Sequence, residues 1–109
     1  MSGQTVEKES RLTSTQRKYL RGLAHSLNPL VHVGQGGVTD GVIGSVRRAL
    51  ADHELIKVKI AADRDERARM AAEIEAACDA ELAGVIGRIA ILYRPKDDPE
   101  KREIVLPAA

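Results

Sequence analysis

Three glycines in four residues, Gly34-Gln35-Gly36-Gly37, separate a short apolar stretch, Leu30 to Val33, from an amphipathic one that opens at Thr39-Asp40. Glycine has no β-carbon, so the chain here can take positive φ and lie close against another molecule. Thr39 is an N-cap residue type. A helix starting there aims free N–H groups and the positive end of its dipole back at the glycines. Such a strand–turn–helix corner suits an anion, above all a phosphate.

Two phosphate loops are excluded by the residues around Gly37. A nucleoside-triphosphate loop, G-x-x-x-x-G-K-[ST], needs a lysine, and Val38-Thr39 comes after Gly37 instead. A dinucleotide fingerprint, G-x-G-x-x-G, would need glycine where Thr39 stands, in a chain longer than this one. The motif that remains is G-x-x-G, which in KH modules clamps an RNA backbone. The competing reading is a tight turn that binds nothing.

Catalytic and metal readings find no residue set. His25, His32, His53 and Cys78 show no paired spacing such as H-x-x-x-H or C-x-x-C. His53, in Asp52-His53-Glu54, reads as a helix-end residue, His32 as a satisfied strand residue, and Cys78 as small core filler. Glu73 and Glu75 stand two apart and cannot share a helix face. We expect neither enzyme nor cofactor.

The charge is uneven. The net +1 divides into eight Lys and Arg against three Asp and Glu between residues 11 and 60, and three against seven between 61 and 81. A basic half carrying the glycine turn points to an anionic partner. With Tyr19 and Tyr93 as the aromatics, nucleic-acid binding would rest on phosphate contacts more than on base stacking. A single cysteine cannot form an internal disulfide, no apolar run is long enough to span a bilayer, and no secretory signal pattern is present; these predict a cytoplasmic protein.

The elements that would hold the corner can be read from spacing. At 109 residues one domain is expected. Residues 1–10 read as a flexible tail, 11–96 as the domain, and 97–109 as a charged C-terminal segment. Thr13-Ser14-Thr15-Gln16 has capping-box spacing. The helix behind it carries a stripe of Gln16, Tyr19/Leu20, Leu23 and Leu27, and Asn28-Pro29 ends it. A second helix, from about Asp40 to Ala51, buries Val42, Val46, Ala49/Leu50 and His53. Ile56-Lys57-Val58-Lys59-Ile60 alternates as a strand with one apolar face. It should pair parallel with Leu30–Val33, because a helix joins the two. Asp63 or Asp65 caps a third helix through Arg67, Met70/Ala71, Ile74 and Ala77/Cys78. Leu82–Ile86 and Ile89–Arg94 form a hairpin through Gly87-Arg88, a type II′ pair. Ile104-Val105-Leu106 either docks on the sheet or hangs free. The fold class is α/β, in the order α-β-α-β-α-β-β, with a four-stranded mixed sheet packed by helices.

These residues resemble the YhbY-like family, the stand-alone bacterial form of the CRM (chloroplast RNA splicing and ribosome maturation) domain. The resemblance runs from Leu12 to Pro95. It is carried by Leu12-Thr13, Leu23-Ala24-His25, Val33 through Val42, Ala49-Leu50, the H-E-L-I-K-V-K run 53–59, Val85-Ile86-Gly87-Arg88, and Leu92-Tyr93-Arg94-Pro95. It implies a sheet similar to the C-terminal domain of translation initiation factor three, RNA binding, and association with ribosomal RNA in large-subunit precursors. Three positions depart from the family pattern. Val38 follows the last glycine of the loop where the family usually has leucine. Gln35 brings no charge to the loop, and Arg88 stands where the hairpin often has lysine. The expected RNA contacts are Gly34, Gln35, Gly36 and Gly37 with Lys18, Arg21, Lys57, Lys59, Arg88 and Arg94, on a monomer with no membrane or small-molecule partner. A different class of reading is a protein-interaction module whose basic face docks an acidic protein.

Overall fold

The computed structural model describes residues 11–108; the proposed tail at 1–10 lies outside them. Four strands, β1 (Val31–Val33), β2 (Leu55–Ile60), β3 (Glu81–Ile86) and β4 (Ile89–Tyr93), form one sheet in the order β1-β2-β4-β3. β1 runs parallel to β2, whereas β4 is antiparallel to both β2 and β3. Three helices, α1 (Ser14–Ala24), α2 (Asp40–His53) and α3 (Arg64–Ala77), and a short 3-10 turn at Pro99–Lys101 complete the chain. The four-stranded mixed sheet, the parallel β1–β2 pair and the β3–β4 hairpin agree with the pattern read from the sequence.

Each helix starts where a polar side chain replaces the missing intrahelical acceptor. Thr13 accepts from the Gln16 N–H while the Gln16 side chain accepts from the Thr13 N–H, a complete capping box. Thr39 caps α2 through the Val42 N–H, and Asp63, rather than Asp65, caps α3 through the Glu66 N–H. Gly87 sits at φ 59 in the hairpin turn, the sign the first position of a type II′ turn demands.

The sheet separates two cores. On one face Val46 and Leu50 of α2, Ala71 and Ile74 of α3, and Cys78 pack on Val31, Val33, Ile56, Val58, Ile60, Ala90 and Leu92. On the other, Leu12 and the α1 residues Leu20 and Ala24 pack on Leu55, Ala83, Ile91 and Tyr93, with Ile104 and Leu106 of the C-terminal segment against them. That segment therefore docks, and the Gln16 Nε2 donor holds its Pro107 carbonyl at 3.0 Å.

Two helix faces differ from the stripes read by periodicity. In α1 the buried residues are Leu20 and Ala24, while Tyr19 and Leu23 are exposed and Leu27 lies beyond the helix end. Only a narrow strip of α1 meets the sheet, so residues one position off that strip stay in water. α1 also ends at Ala24, well before Asn28-Pro29. In α2 the buried residues are Val46 and Leu50, and His53 in the last turn is exposed.

Glu54 joins these layers. It follows α2 with φ 58 and is fully buried. Its main chain binds the Leu50 carbonyl through N–H and the Arg94 N–H through C=O. Its carboxylate accepts three main-chain N–H groups: Lys96 on Oε2 at 2.7 Å, and Glu103 and Ile104 on Oε1 at 2.8 and 3.1 Å. Burial pushes its pKa up, but the three amides and the nearby Lys96 cation outweigh it, and the carboxyl is held below the ordinary value of 4.5.

Because the folded group holds its proton less tightly than the unfolded one, the stabilisation it supplies is whole above about pH 4.5 and fades as pH falls through the lower folded value. Glu54→Gln turns one acceptor oxygen into a donor facing an N–H. We expect it to cost ~1–3 kcal/mol in urea unfolding at pH 7 and to flatten the acid side of the stability–pH curve.

Candidate nucleic-acid interface

The glycine corner comes directly after β1. The Gly37 N–H donates to the Gly34 carbonyl at 3.1 Å, closing a turn over Gln35-Gly36. Gly37 then takes φ 74, and a β-carbon there would meet Met70 Cε at 3.7 Å, so α3 backs the loop from below. Gly34 and Gly36 do not have positive φ, and a β-carbon on either would meet nothing within 4 Å. The fold thus accounts for glycine at position 37 and not at 34 or 36. Gly34, Gln35 and Gly36 are exposed, and among the described residues the Gln35 and Gly36 N–H groups have no partner.

Asp40 occupies the first turn of α2, next to the corner. Its carboxylate already complements the positive end of the helix dipole. An anion at this corner is therefore better received by the loop amides and neighbouring cations than by the helix end.

The topology decides which cations are neighbours. β1 and β2 finish at the same end of the sheet, and β4 starts there. The Ile60 N–H donates to the Arg88 carbonyl at 2.8 Å, and the Ala61 N–H to the Val33 carbonyl at 3.0 Å, so the hairpin tip and the glycine corner lie on one edge. Lys59 pairs with His32 on one side and Ile89 on the other. Lys59, Arg88 and His32 are exposed, and none has a side-chain hydrogen bond or ion pair among the described residues. Lys18, exposed on α1, has none either.

The other predicted cations are placed differently. Arg21 Nη1 donates to the Ala83 carbonyl at 2.9 Å, lying across Gly84, where a β-carbon would come within 2.9 Å of its Cδ. Lys57 Nζ donates to the His25 and Leu27 carbonyls at 3.3 and 2.9 Å, satisfying the end of α1. Arg94 lies past the far end of β4, about 17 Å along the strand from the hairpin, beside Asp97 at 3.9 Å. The predicted set is therefore not one cluster: Gly34–Gly37, Lys59 and Arg88 come together, Arg21 and Lys57 serve the fold with part of their donors, and Arg94 stands apart.

His32 joins the corner without having been singled out as a contact. Its position in Val31-His32-Val33 gave the signal, since alternation turns it away from the core that takes both valines. A shallow groove beside it runs between β1 and α2, lined by Leu30, His32, Thr39, Gly41, Val42 and Ser45. Cys78 is buried, with its Sγ 3.9 Å from the Ile43 carbonyl, and burial pushes its thiol pKa up, as for an unreactive core residue. No group of three His, Cys, Asp or Glu side chains suited to a metal occurs among the described residues, and no helix among them is long and apolar enough to cross a membrane.

Comparison with known proteins agrees with this architecture. A Pseudomonas aeruginosa protein named as a probable RNA-binding protein is 42% identical over 91 residues, covering 83% of this chain and 88% of that one. A Haemophilus influenzae protein named as an RNA-binding protein is 43% identical over 88 residues, covering 80% and 89%. The solution structure of a Staphylococcus aureus protein superposes with a TM-score of 0.76 at 34% identity, covering 88% of this chain and 99% of that one. The model of the CRS1/YhbY (CRM) domain matches residues 12–94, and the chain belongs to that family.

Proposed function

We propose that this protein is a non-catalytic RNA-binding factor that acts in the cytoplasm, as a monomer, on ribosomal RNA in large-subunit precursors. The observation that carries the reading is the glycine corner. Gly34 and Gly36 are glycines the fold does not require, next to two unpartnered amides, with Lys59 and Arg88 on the same edge. A sugar–phosphate backbone needs this: close main-chain approach, N–H donors and flanking positive charge. The RNA-binding relatives support the same ligand class. Arg21 and Lys18 extend the positive surface along α1. Lys57 and Arg94 contribute less, the first because its ammonium is held by carbonyls, the second because of its distance.

Fluorescence anisotropy with RNA tests this. If about five phosphates are neutralised on a single strand, log K falls against log salt with a slope near −3.5. Gly36→Asp places a carboxylate on the loop and should abolish binding while leaving the circular dichroism spectrum and melting unchanged. Gly37→Ala should instead cost ~1 kcal/mol of stability, because its φ is positive. Lys59→Ala and Arg88→Ala should each reduce the salt slope by about 0.7, and Arg94→Ala should leave it nearly unchanged. A flat salt response, or a pull-down partner that survives nuclease digestion, would favour an acidic protein partner instead.

A further inference from the structure

Among the described residues, the sheet face beneath α1 is covered at one end only. α1 and the C-terminal segment lie over Leu55, Ala83, Ile91 and Tyr93, and Ile89 packs against that cluster with part of its surface. At the end next to the glycine corner the strand registers align four side chains in a row across the sheet. His32 is opposite Lys59, Lys59 opposite Ile89, and Ile89 opposite Ile86. All four point away from the core that holds Val33, Ile60 and Ala90. His32 and Lys59 are exposed, Ile89 is half-buried, and Ile86 leaves 58% of its surface in water. With strands about 4.8 Å apart, the row spans roughly 14 Å.

We propose that this row is a platform for unpaired nucleobases, so that the RNA held at the glycine corner is single-stranded there. The proposal rests on the RNA-binding reading and adds to it the kind of RNA and the surface that meets its bases. Two features carry it. The row pairs two aliphatic side chains with an imidazole and an ammonium and contains no carboxylate, which matches a ligand that is apolar on its ring faces and anionic along its backbone. The row is continuous with the corner: His32 lies two residues before Gly34, and Arg88 lies between Ile86 and Ile89 at the hairpin tip. A strand whose phosphates rest on the Gln35 and Gly36 amides therefore has its bases within reach of the row. A duplex would bring only phosphates and groove edges to a flat sheet, leaving Ile86 and Ile89 wet. Tyr93 is buried beneath the α1 side, and Tyr19, though exposed, belongs to α1 and not to the row, so base contact within the row falls to these aliphatic side chains and His32.

Anisotropy titrations of the full chain with three probes test this: a short mixed-sequence single-stranded RNA, the duplex of the same sequence, and an abasic ribose-phosphate oligomer of the same length. We expect the single strand to bind about tenfold tighter than either other probe. Ile86→Ser should lose most of that preference with its salt slope unchanged. His32→Ala, at an exposed strand position, should do the same and serves as the second variant if Ile86→Ser shifts the melting curve. Equal affinity for the three probes, or unchanged single-strand preference in both folded variants, overturns the platform. If Gly36→Asp abolishes binding under those conditions, the backbone reading stands without the platform. If the unmodified protein binds none of the probes, both fall.

Discussion

β2 pairs on both sides at once, and every feature of the candidate interface depends on that. Parallel pairing with β1 makes both strands finish at one end of the sheet, and antiparallel pairing with β4 makes the third begin there. The glycine corner, the end of β2 and the hairpin tip thus become neighbours though the first and last are separated by about fifty residues of sequence. The register is fixed by burial. Ile56, Val58 and Ile60 fill the core under α2 and α3, so Lys57 and Lys59 must face the other way. A slip of one residue would drive both lysines into that core, at a cost no surface contact could offset.

The basic residues divide between holding the fold and facing outward. Arg17 donates to the Leu12 carbonyl, Arg21 to Ala83, Arg47 to Ala77, Lys57 to His25 and Leu27, and Arg67 to Ala62. Carbonyls at helix ends and irregular strand positions lack ladder partners, and long cationic side chains reach them while keeping their stems on apolar surface. The positive excess between residues 11 and 60 is therefore larger than the charge available to a ligand. Glu54 plays the reciprocal part. One buried carboxylate gathers three amides from the segment that follows β4 and holds it near the start of β2. The C-terminal segment in turn closes the far half of the α1 face, and among the described residues the half beside the glycines is left open.

Much of the local structure was legible because local rules control it. The capping box at Thr13, the cap at Thr39, the alternation of Ile56–Ile60 and the Gly87 turn each depend on residues within a few positions of one another. The α1 stripe was less legible. Periodicity selects an apolar arc, but the strip of sheet available to α1 is narrower than that arc, so Leu20 and Ala24 are buried and Tyr19 and Leu23 are not. His53 was misplaced in the same way: it falls on the apolar arc by spacing, yet it is exposed while Leu50 in the same turn is buried.

By itself the sequence determined the order of elements, the direction of the first strand pair and the glycine corner with its cap, because side-chain size, φ preference and nearest-neighbour hydrogen bonding act over short spans. Only the tertiary structure decided which cations stand beside that corner, that Arg94 lies a strand's length away, that Glu54 holds the chain's end, and that His32, Lys59, Ile89 and Ile86 share one open row. These depend on register across strands far apart in the chain, and register is set by how two cores fill on opposite faces of one sheet, which no short window of residues contains.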